Sequence, residues 1–224
     1  MPIQNTALKR ATASVLSTHA VLKNTYFLLS LTLLFSAGMA AFAMLTNAPS
    51  PHFIILLAGM FGLSMLTTAL RNSAWGLVAI FAFTGFMGYT LGPMLNMYLL
   101  AFTNGAQLII TALGATGIIF LGLSAYALIT QKDFSYMGGM LFVISMVAFM
   151  AGIGAMLFHL PMLQLVVSGA FALIASGMIL FQTNQIIMGG ERNYIMASIS
   201  LYVSLFNLFV SLLQILSVFS GRRD

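Results

Sequence analysis

The sequence predicts an all-α integral membrane protein in which seven transmembrane helices follow one another through short loops. The chain has 224 residues, of which 61% are hydrophobic and 5% are charged. Soluble domains carry about 25% charged residues, so 8 Lys and Arg with 3 Asp and Glu cannot cover a water-facing surface. This composition excludes a soluble enzyme and a disordered protein, and it suits the lipid bilayer.

The basic balance of the chain does not indicate a nucleic-acid partner. The formal net charge is +5, but the basic residues lie singly or in pairs between apolar runs. The sequence contains no Cys, which excludes disulfides, thiolate metal sites and a cysteine nucleophile.

The first three apolar runs each approach or exceed the roughly 20 residues that cross a bilayer. Residues 26–45 end at a Pro-containing segment, and this run is longer than the roughly 7–15 residues of a signal peptide, which favours a retained helix. Residues 53–70 end at Arg71, and residues 75–102 contain Gly92-Pro93, which predicts a kink.

Four further runs complete the set, and each of the first three ends at a polar or Pro-containing segment. They cover residues 107–130, 137–158, 162–182 and 194–219. Because all the connections are short, successive helices are expected to be antiparallel neighbours, with no room for a soluble domain.

The runs predict one transmembrane domain over residues 25–220. Residues 1–24 are rich in Thr, Ser and Asn, and they are expected to form a disordered N-terminal tail, in which Lys9 and Arg10 are candidate partner-binding residues. Residues 221–224 form a short C-terminal tail.

The Lys and Arg residues of the loops predict that the N-terminus faces the cytoplasm. In that orientation six basic residues are cytoplasmic, namely Lys9, Arg10, Lys23, Arg71, Lys132 and Arg192. Only Arg222 and Arg223 then lie on the periplasmic side, although this pair leaves open a re-entrant last helix. Full crossing of the last run is favoured by its length.

The chain offers no constellation for catalysis. Its three acids, Asp133, Glu191 and Asp224, lie in loops or at the end, and its three His residues lie at or beyond helix ends. A zinc hydrolase needs clustered His and acids, and a serine protease needs a base at membrane depth. The sequence therefore predicts a protein that is not an enzyme and has no catalytic residue, metal site or cofactor.

A polar stripe stands out in the last apolar run. Its members are spaced 4, 3, 4 and 3 residues apart, which places them on one face of a helix: Ser200, Ser204, Asn207, Ser211 and Gln214. Such a face is expected to turn away from lipid. Interhelical hydrogen bonding and the lining of a narrow water or ion path are both consistent with it.

Small residues recur in the third and fourth runs. Gly85, Gly88 and Gly92 follow one helical face, and Gly114 and Gly117 lie three residues apart. Both sets are expected to bring helices into close contact.

Several stretches together resemble the Bax-inhibitor-1-like family of membrane proteins. They are Ser17-Thr18-His19, Leu22-Lys23-Asn24-Thr25-Tyr26, Ala82-Phe83-Thr84-Gly85-Phe86 with Gly92-Pro93, Lys132-Asp133-Phe134-Ser135, Asn184-Gln185-Ile186, and the stretch from Leu201-Tyr202 to Asn207-Leu208-Phe209. The resemblance covers nearly the whole chain and implies six helices wrapped around a central seventh.

The resemblance also implies a sensing site. Many members of the family are described as pH-sensitive calcium leak channels that use an aspartate pair on the sixth and seventh helices, with an Arg from the second. The matching positions here are Gln182, Ser204 and Arg71. Gln and Ser neither share a titrating proton nor provide the carboxylates that calcium prefers, but they can form a neutral hydrogen bond.

Within the family, the chain most resembles bacterial inner-membrane modulators of the membrane AAA+ protease FtsH. The resemblance therefore implies a non-enzymatic protein that binds FtsH in membrane-protein quality control. The alternative is a cation leak channel, with calcium as its ion and an altered, non-carboxylate sensing site.

Overall fold

The computed structural model describes residues 2–130 and 132–220, with side chains from His19 onward. The described residues form seven α-helices: α1 (Pro2–Leu45), α2 (Phe53–Leu70), α3 (Trp75–Ala101), α4 (Gly105–Thr130), α5 (Met137–Leu157), α6 (Pro161–Ile187) and α7 (Tyr194–Val218). Within this part of the chain, each helix contains a segment long and apolar enough to cross a membrane. The predicted fold class, an all-α membrane protein, is confirmed.

Three helices extend beyond the apolar runs that predict them, α4 by only two residues at its start. Helix α6 continues one turn past residue 182, so Asn184 and Gln185 are helical. Helix α1 begins at Pro2, whereas the sequence predicts a disordered tail over residues 1–24. The physical reason is that residues 3–37 contain neither Pro nor Gly to interrupt a helix. A separate tail ending at residue 24 stays a prediction, and residues 221–224 lie outside the described part.

Helix α7 is the most enclosed of the described helices. It packs against α1, α2, α3, α4 and α6, whereas α5 packs against α6 alone among the described elements. The α7 side chains of Leu201, Tyr202 and Leu208 are almost completely buried, together with Phe83 of α3 and Ile179 of α6. The central position that the family resemblance implies for the seventh helix is thus observed, with α5 as the outermost neighbour.

Helices α1 and α3 approach each other closely through two of the predicted small residues. A Cβ atom added at Gly88 would collide with the backbone oxygen of Ser36, and one at Gly92 would lie 2.7 Å from the oxygen of Ala40. This seam between α1 and α3 therefore depends on the missing side chains. The outcome differs in α4, where no described atom lies within 4 Å of a Cβ placed on Gly114 or Gly117.

The two ends of the described bundle differ in charge. One end, called here the basic end, carries Lys23, Arg71, Lys132 and Arg192. The opposite end consists of the connections at residues 46–52, 102–104 and 158–160. Within these described connections there is no Asp, Glu, Lys or Arg. The basic end is the one that the sequence predicts to be cytoplasmic.

Candidate functional site

A cavity of about 350 Å³ lies in the half of the bundle nearer the basic end, between α2, α5, α6 and α7. We call it the basic-end cavity. Its walls carry one or more hydroxyl or amide groups from each of the four helices. These polar lining residues are Ser64, Thr68, Ser145, Gln182, Ser200, Ser204 and Asn207.

A second cavity of about 690 Å³ lies toward the opposite end, between α5, α6, α7 and Tyr98 of α3. We call it the opposite-end cavity. Its lining is also rich in uncharged polar groups. Besides Tyr98, these are Gln164, Ser168, Asn207, Ser211, Gln214 and Ser217.

The two cavities have a pair of lining residues in common. Phe171 of α6 and Asn207 of α7 line both of them. Along α7, the combined lining runs from Met196 to Val218. At 1.5 Å per residue this is about 33 Å of helix, which matches the roughly 30 Å hydrocarbon thickness of a bilayer.

The structure places the whole polar stripe of α7 along these cavities. Ser200 and Ser204 line the basic-end cavity, Ser211 and Gln214 line the opposite-end cavity, and Asn207 lines both. The stripe therefore borders the cavities between α7 and helices α2, α5 and α6, and the apolar faces of α7 pack against α1, α3, α4 and the adjacent apolar residues of α6.

Two residues of the stripe also make hydrogen bonds to α6. The Ser204 hydroxyl lies 3.1 Å from Gln182 Oε1, and the Ser168 hydroxyl lies 2.7 Å from Gln214 Oε1. Asn207 differs from both. It is exposed near the middle of α7, and no hydrogen bond joins its side-chain amide to any described residue.

Of the three positions that match the family's sensing site, the structure brings two together. Gln182 and Ser204 form the neutral hydrogen bond that the sequence allows. Arg71 is the exposed residue that caps the end of α2, and it lines neither cavity. Its backbone oxygen instead accepts a hydrogen bond of 2.9 Å from Asn193 Nδ2.

Two asparagines fasten the loops at the basic end. Asn184 is fully buried, donates to the oxygen of Lys132 at 2.6 Å and accepts from the Phe134 amide at 3.0 Å. Asn193 caps α7 through the amides of Ile195 and Met196 and also donates to the loop after α2. The loops before α3 and α5 are thereby tied to α7 and α6.

A carboxylate in one of these loops is held in its ionised form. The Ser135 hydroxyl, and then the Ser135 backbone N–H, donate hydrogen bonds to Asp133, and these bonds lower the pKa of its carboxyl. The Asp133 side chain is fully exposed. The turn it forms leads directly into α5.

Neither cavity is charged. Within the described part of the chain, no Asp, Glu, Lys or Arg lines the basic-end or the opposite-end cavity. The described residues also contain no group of three His, Cys, Asp or Glu that could hold a metal ion. The arrangement can exchange hydrogen bonds with a polar molecule, but it offers no carboxylate ligand for a cation.

Apart from Gln182, the sequence did not reveal the partners of the stripe on the other helices. Ser64 with Thr68 on α2 and Gln164 with Ser168 on α6 line the cavities, and each pair has a spacing of four residues. That spacing inside an apolar run was the available signal. The predicted tail residues Lys9 and Arg10 have side chains outside the described part, so their role stays a prediction.

An all-helical, multi-pass membrane protein with an uncharged polar site along its central helix is the class that this fold and site define. The family described as inhibitor of apoptosis-promoting Bax1 matches residues 18–221. The chain belongs to this Bax inhibitor-1-like family.

Curated relatives cover almost the full length of the chain. It is 52% identical over 209 residues to a protein of Escherichia coli K12 named modulator of FtsH protease YccA, covering 93% of this chain and 94% of the relative. An uncharacterized protein of Pseudomonas aeruginosa is 50% identical over 221 residues, covering 99% of both chains. An uncharacterized membrane protein of Vibrio cholerae is 44% identical over 223 residues, covering 97% of this chain and 99% of the relative.

Proposed function

We propose that this chain is a non-enzymatic inner-membrane protein that binds the protease FtsH and modulates its action on other membrane proteins. The observation that carries the proposal is the 52% identity to the relative named modulator of FtsH protease YccA. The similarity extends through 93% of the chain, so it includes both the bundle and its loops.

The basic end supplies a surface on which a partner can bind. Asn184 and Asn193 tie its loops to α6 and α7 through four hydrogen bonds of 2.6–3.1 Å. Lys132 and Arg192 are exposed there. A loop surface held in one conformation costs less entropy when a partner binds it than a mobile surface does.

The N-terminal part of α1, with Lys9 and Arg10, is the second candidate contact. A AAA+ protease needs a segment to grip, and residues 1–20 precede the first apolar run. A bundle that is gripped there but unfolds slowly would occupy the protease and slow its action on other substrates.

The test is co-reconstitution of the full chain with FtsH in proteoliposomes. The ATP-dependent degradation of an independent membrane substrate is followed at increasing amounts of this protein, and the amount of the protein itself is followed in parallel. A variant lacking residues 2–20 and the double variant Lys9→Gln with Arg10→Gln serve as matched comparisons.

We expect dose-dependent slowing of substrate degradation by the full chain and weaker slowing by both variants. If both variants slow substrate degradation as much as the full chain does, the contact with FtsH lies in the basic-end loops and not in α1. Degradation of the substrate at an unchanged rate, with no co-purification of FtsH, would refute the modulator function.

The alternative of a calcium leak has less support from the site. Its implied sensing positions carry Gln182 and Ser204 in place of acids, and the cavity beside them has no charged lining within the described part of the chain. The cation leak therefore stays a prediction from the family resemblance, and the flux experiment described next includes its test.

A further inference from the structure

We propose that the basic-end and opposite-end cavities form one water-filled path, which passes water and small uncharged polar solutes such as glycerol or urea and rejects ions. This activity is separate from the modulation of FtsH. It rests on the exposed Asn207 amide and on the length and chemical lining of the two cavities.

The side-chain amide of Asn207 needs a hydrogen-bonding partner. Its amide is exposed near the middle of α7, without a hydrogen bond to any described residue. A polar group at membrane depth that faces lipid leaves hydrogen bonds unmade, which is energetically unfavourable. Asn207 lines both cavities, so water in them satisfies the amide.

The lining of the two cavities follows α7 along most of its length. The cavities share Phe171 and Asn207, and their lining follows α7 from Met196 to Val218. The polar groups of α7 recur along this whole length, so that each turn presents a hydroxyl or an amide. We place the narrow point of the proposed path at this shared pair, with the Phe171 ring on one side and the Asn207 amide on the other.

The uncharged polar lining determines which solutes the path accepts. Side-chain amides and hydroxyls each provide both donors and acceptors, which suits polyols and small amides. Within the described part, no charged side chain lines either cavity. An ion entering the narrow point would lose its hydration shell without gaining a ring of charges or carbonyl groups in exchange.

A third cavity shows that polar lining is particular to one side of α7. It has a volume of about 450 Å³ and lies between α1 and α4, with a predominantly apolar lining. Its hydroxyl groups are already used: Ser36 lies 2.6 Å from the Tyr202 hydroxyl, and Thr116 donates to the Ala112 oxygen at 2.7 Å. That cavity needs no water, whereas the pair along the α7 stripe does.

The experiment uses the full chain in proteoliposomes under osmotic stress. Stopped-flow light scattering follows the entry of glycerol and of urea, and parallel assays follow sodium and calcium flux. The variant Asn207→Leu replaces the amide at the narrow point, and Thr116→Val, in the dry cavity, is the matched control.

We expect faster glycerol or urea entry than in protein-free vesicles, without ion flux. Asn207→Leu should return solute entry to the protein-free rate, whereas Thr116→Val should keep it. Solute entry at the protein-free rate for the unmodified chain would overturn the proposal. Sodium or calcium flux would overturn it in favour of a cation leak. Either result leaves the effect on FtsH as a separate measurement.

A second measurement keeps the proposal falsifiable if Asn207→Leu does not insert correctly. The chain has no Cys, so single substitutions report on water directly. Ser200→Cys and Gln214→Cys, at the half-buried and exposed members of the stripe, should react with small hydrophilic thiol reagents, because thiolates form only in water. Ile118→Cys, at a position 74% exposed on the outer surface of α4, is the lipid-facing control. Two unreactive path positions would refute a hydrated path.

Discussion

The two sides of α7 are built on different principles. On the packed side, toward α1, α3 and α4, the cavity of about 450 Å³ has a predominantly apolar lining, and Tyr202, Leu208 and Leu213 have at most 1% of their surface exposed. On the cavity side, toward α2, α5 and α6, the polar stripe borders two cavities of about 350 and 690 Å³. One helix thus serves both as the centre of a core and as the wall of a polar site.

This difference follows from how the neighbouring helices approach. Glycines remove side-chain bulk between α1 and α3, so these helices enclose the packed side closely. Helix α5 packs against α6 alone among the described helices, and the cavities separate it from α7. We therefore expect substitutions on the packed side to lower stability and those on the cavity side to change transport or binding.

The largest expected effect comes from Gly88→Ala in the seam between α1 and α3. The added Cβ would collide with the Ser36 backbone oxygen, which is not the end of a flexible side chain. Overpacking of this kind costs about 1–3 kcal/mol of unfolding free energy. Reversible unfolding by SDS titration in mixed micelles measures it.

Gly114→Ala is the matched control in α4, where no described atom lies within 4 Å of the added Cβ. It should be neutral or stabilise by about 0.5–1 kcal/mol, because Ala is a better helix former than Gly. Equal losses for the two variants would contradict a tight seam at Gly88.

A smaller difference is expected between two neighbouring residues on opposite sides of α7. Tyr202→Phe removes a hydroxyl that lies 2.6 Å from Ser36 Oγ and 3.3 Å from the Thr84 oxygen, on a side chain with 1% of its surface exposed. Hydrogen bonds between membrane helices average about 0.6 kcal/mol and reach about 1.7, so we expect a loss near the upper value.

Ser204→Ala removes the hydroxyl that bonds Gln182 but opens onto a cavity, where water can replace the lost partner. We expect a loss of about 0.6 kcal/mol or less in the same SDS titration. A greater loss for Ser204→Ala than for Tyr202→Phe would reverse the assignment of packed and cavity sides.

The fold could be predicted because the helix limits follow from patterns of residues that are close together in the sequence. Apolar runs bounded by Pro, Arg or Gly give helix limits directly, and the observed α2 covers the same residues as its run. The spacing from Ser200 to Gln214 likewise placed the stripe on one face of α7. Both features depend on neighbours in sequence.

Features that depend on contacts between distant helices were harder to predict. Gly114 and Gly117 follow a small-residue pattern, yet α1 does not approach them as it approaches Gly88. Nothing in the sequence joins Ser145 of α5 or Gln164 of α6 to the stripe. These residues share the cavities only because α5 and α6 pack together beside α7.

The smallest effect is expected in the turn that leads into α5 at the basic end. Helix α5 is the outermost wall of the cavity side. Asp133 accepts a hydrogen bond of 2.8 Å from the Ser135 amide, and the bonds from Ser135 lower the pKa of its carboxyl. A depressed folded pKa means that the turn is stabilised at pH values above the ordinary Asp pKa of about 4 and loses this contribution as the pH falls through the folded pKa.

NMR titration of the Asp133 carboxyl should give a pKa below that of an unstructured Asp, and Ser135→Ala should raise this pKa. Because the carboxylate is fully exposed, water screens the interaction, and Asp133→Asn should loosen this loop without opening the bundle. If the pKa of Asp133 is unchanged in Ser135→Ala, Asp133 does not hold this turn. The start of α5 is then fixed by the hydrogen bonds between Asn184 and the backbone of Lys132 and Phe134.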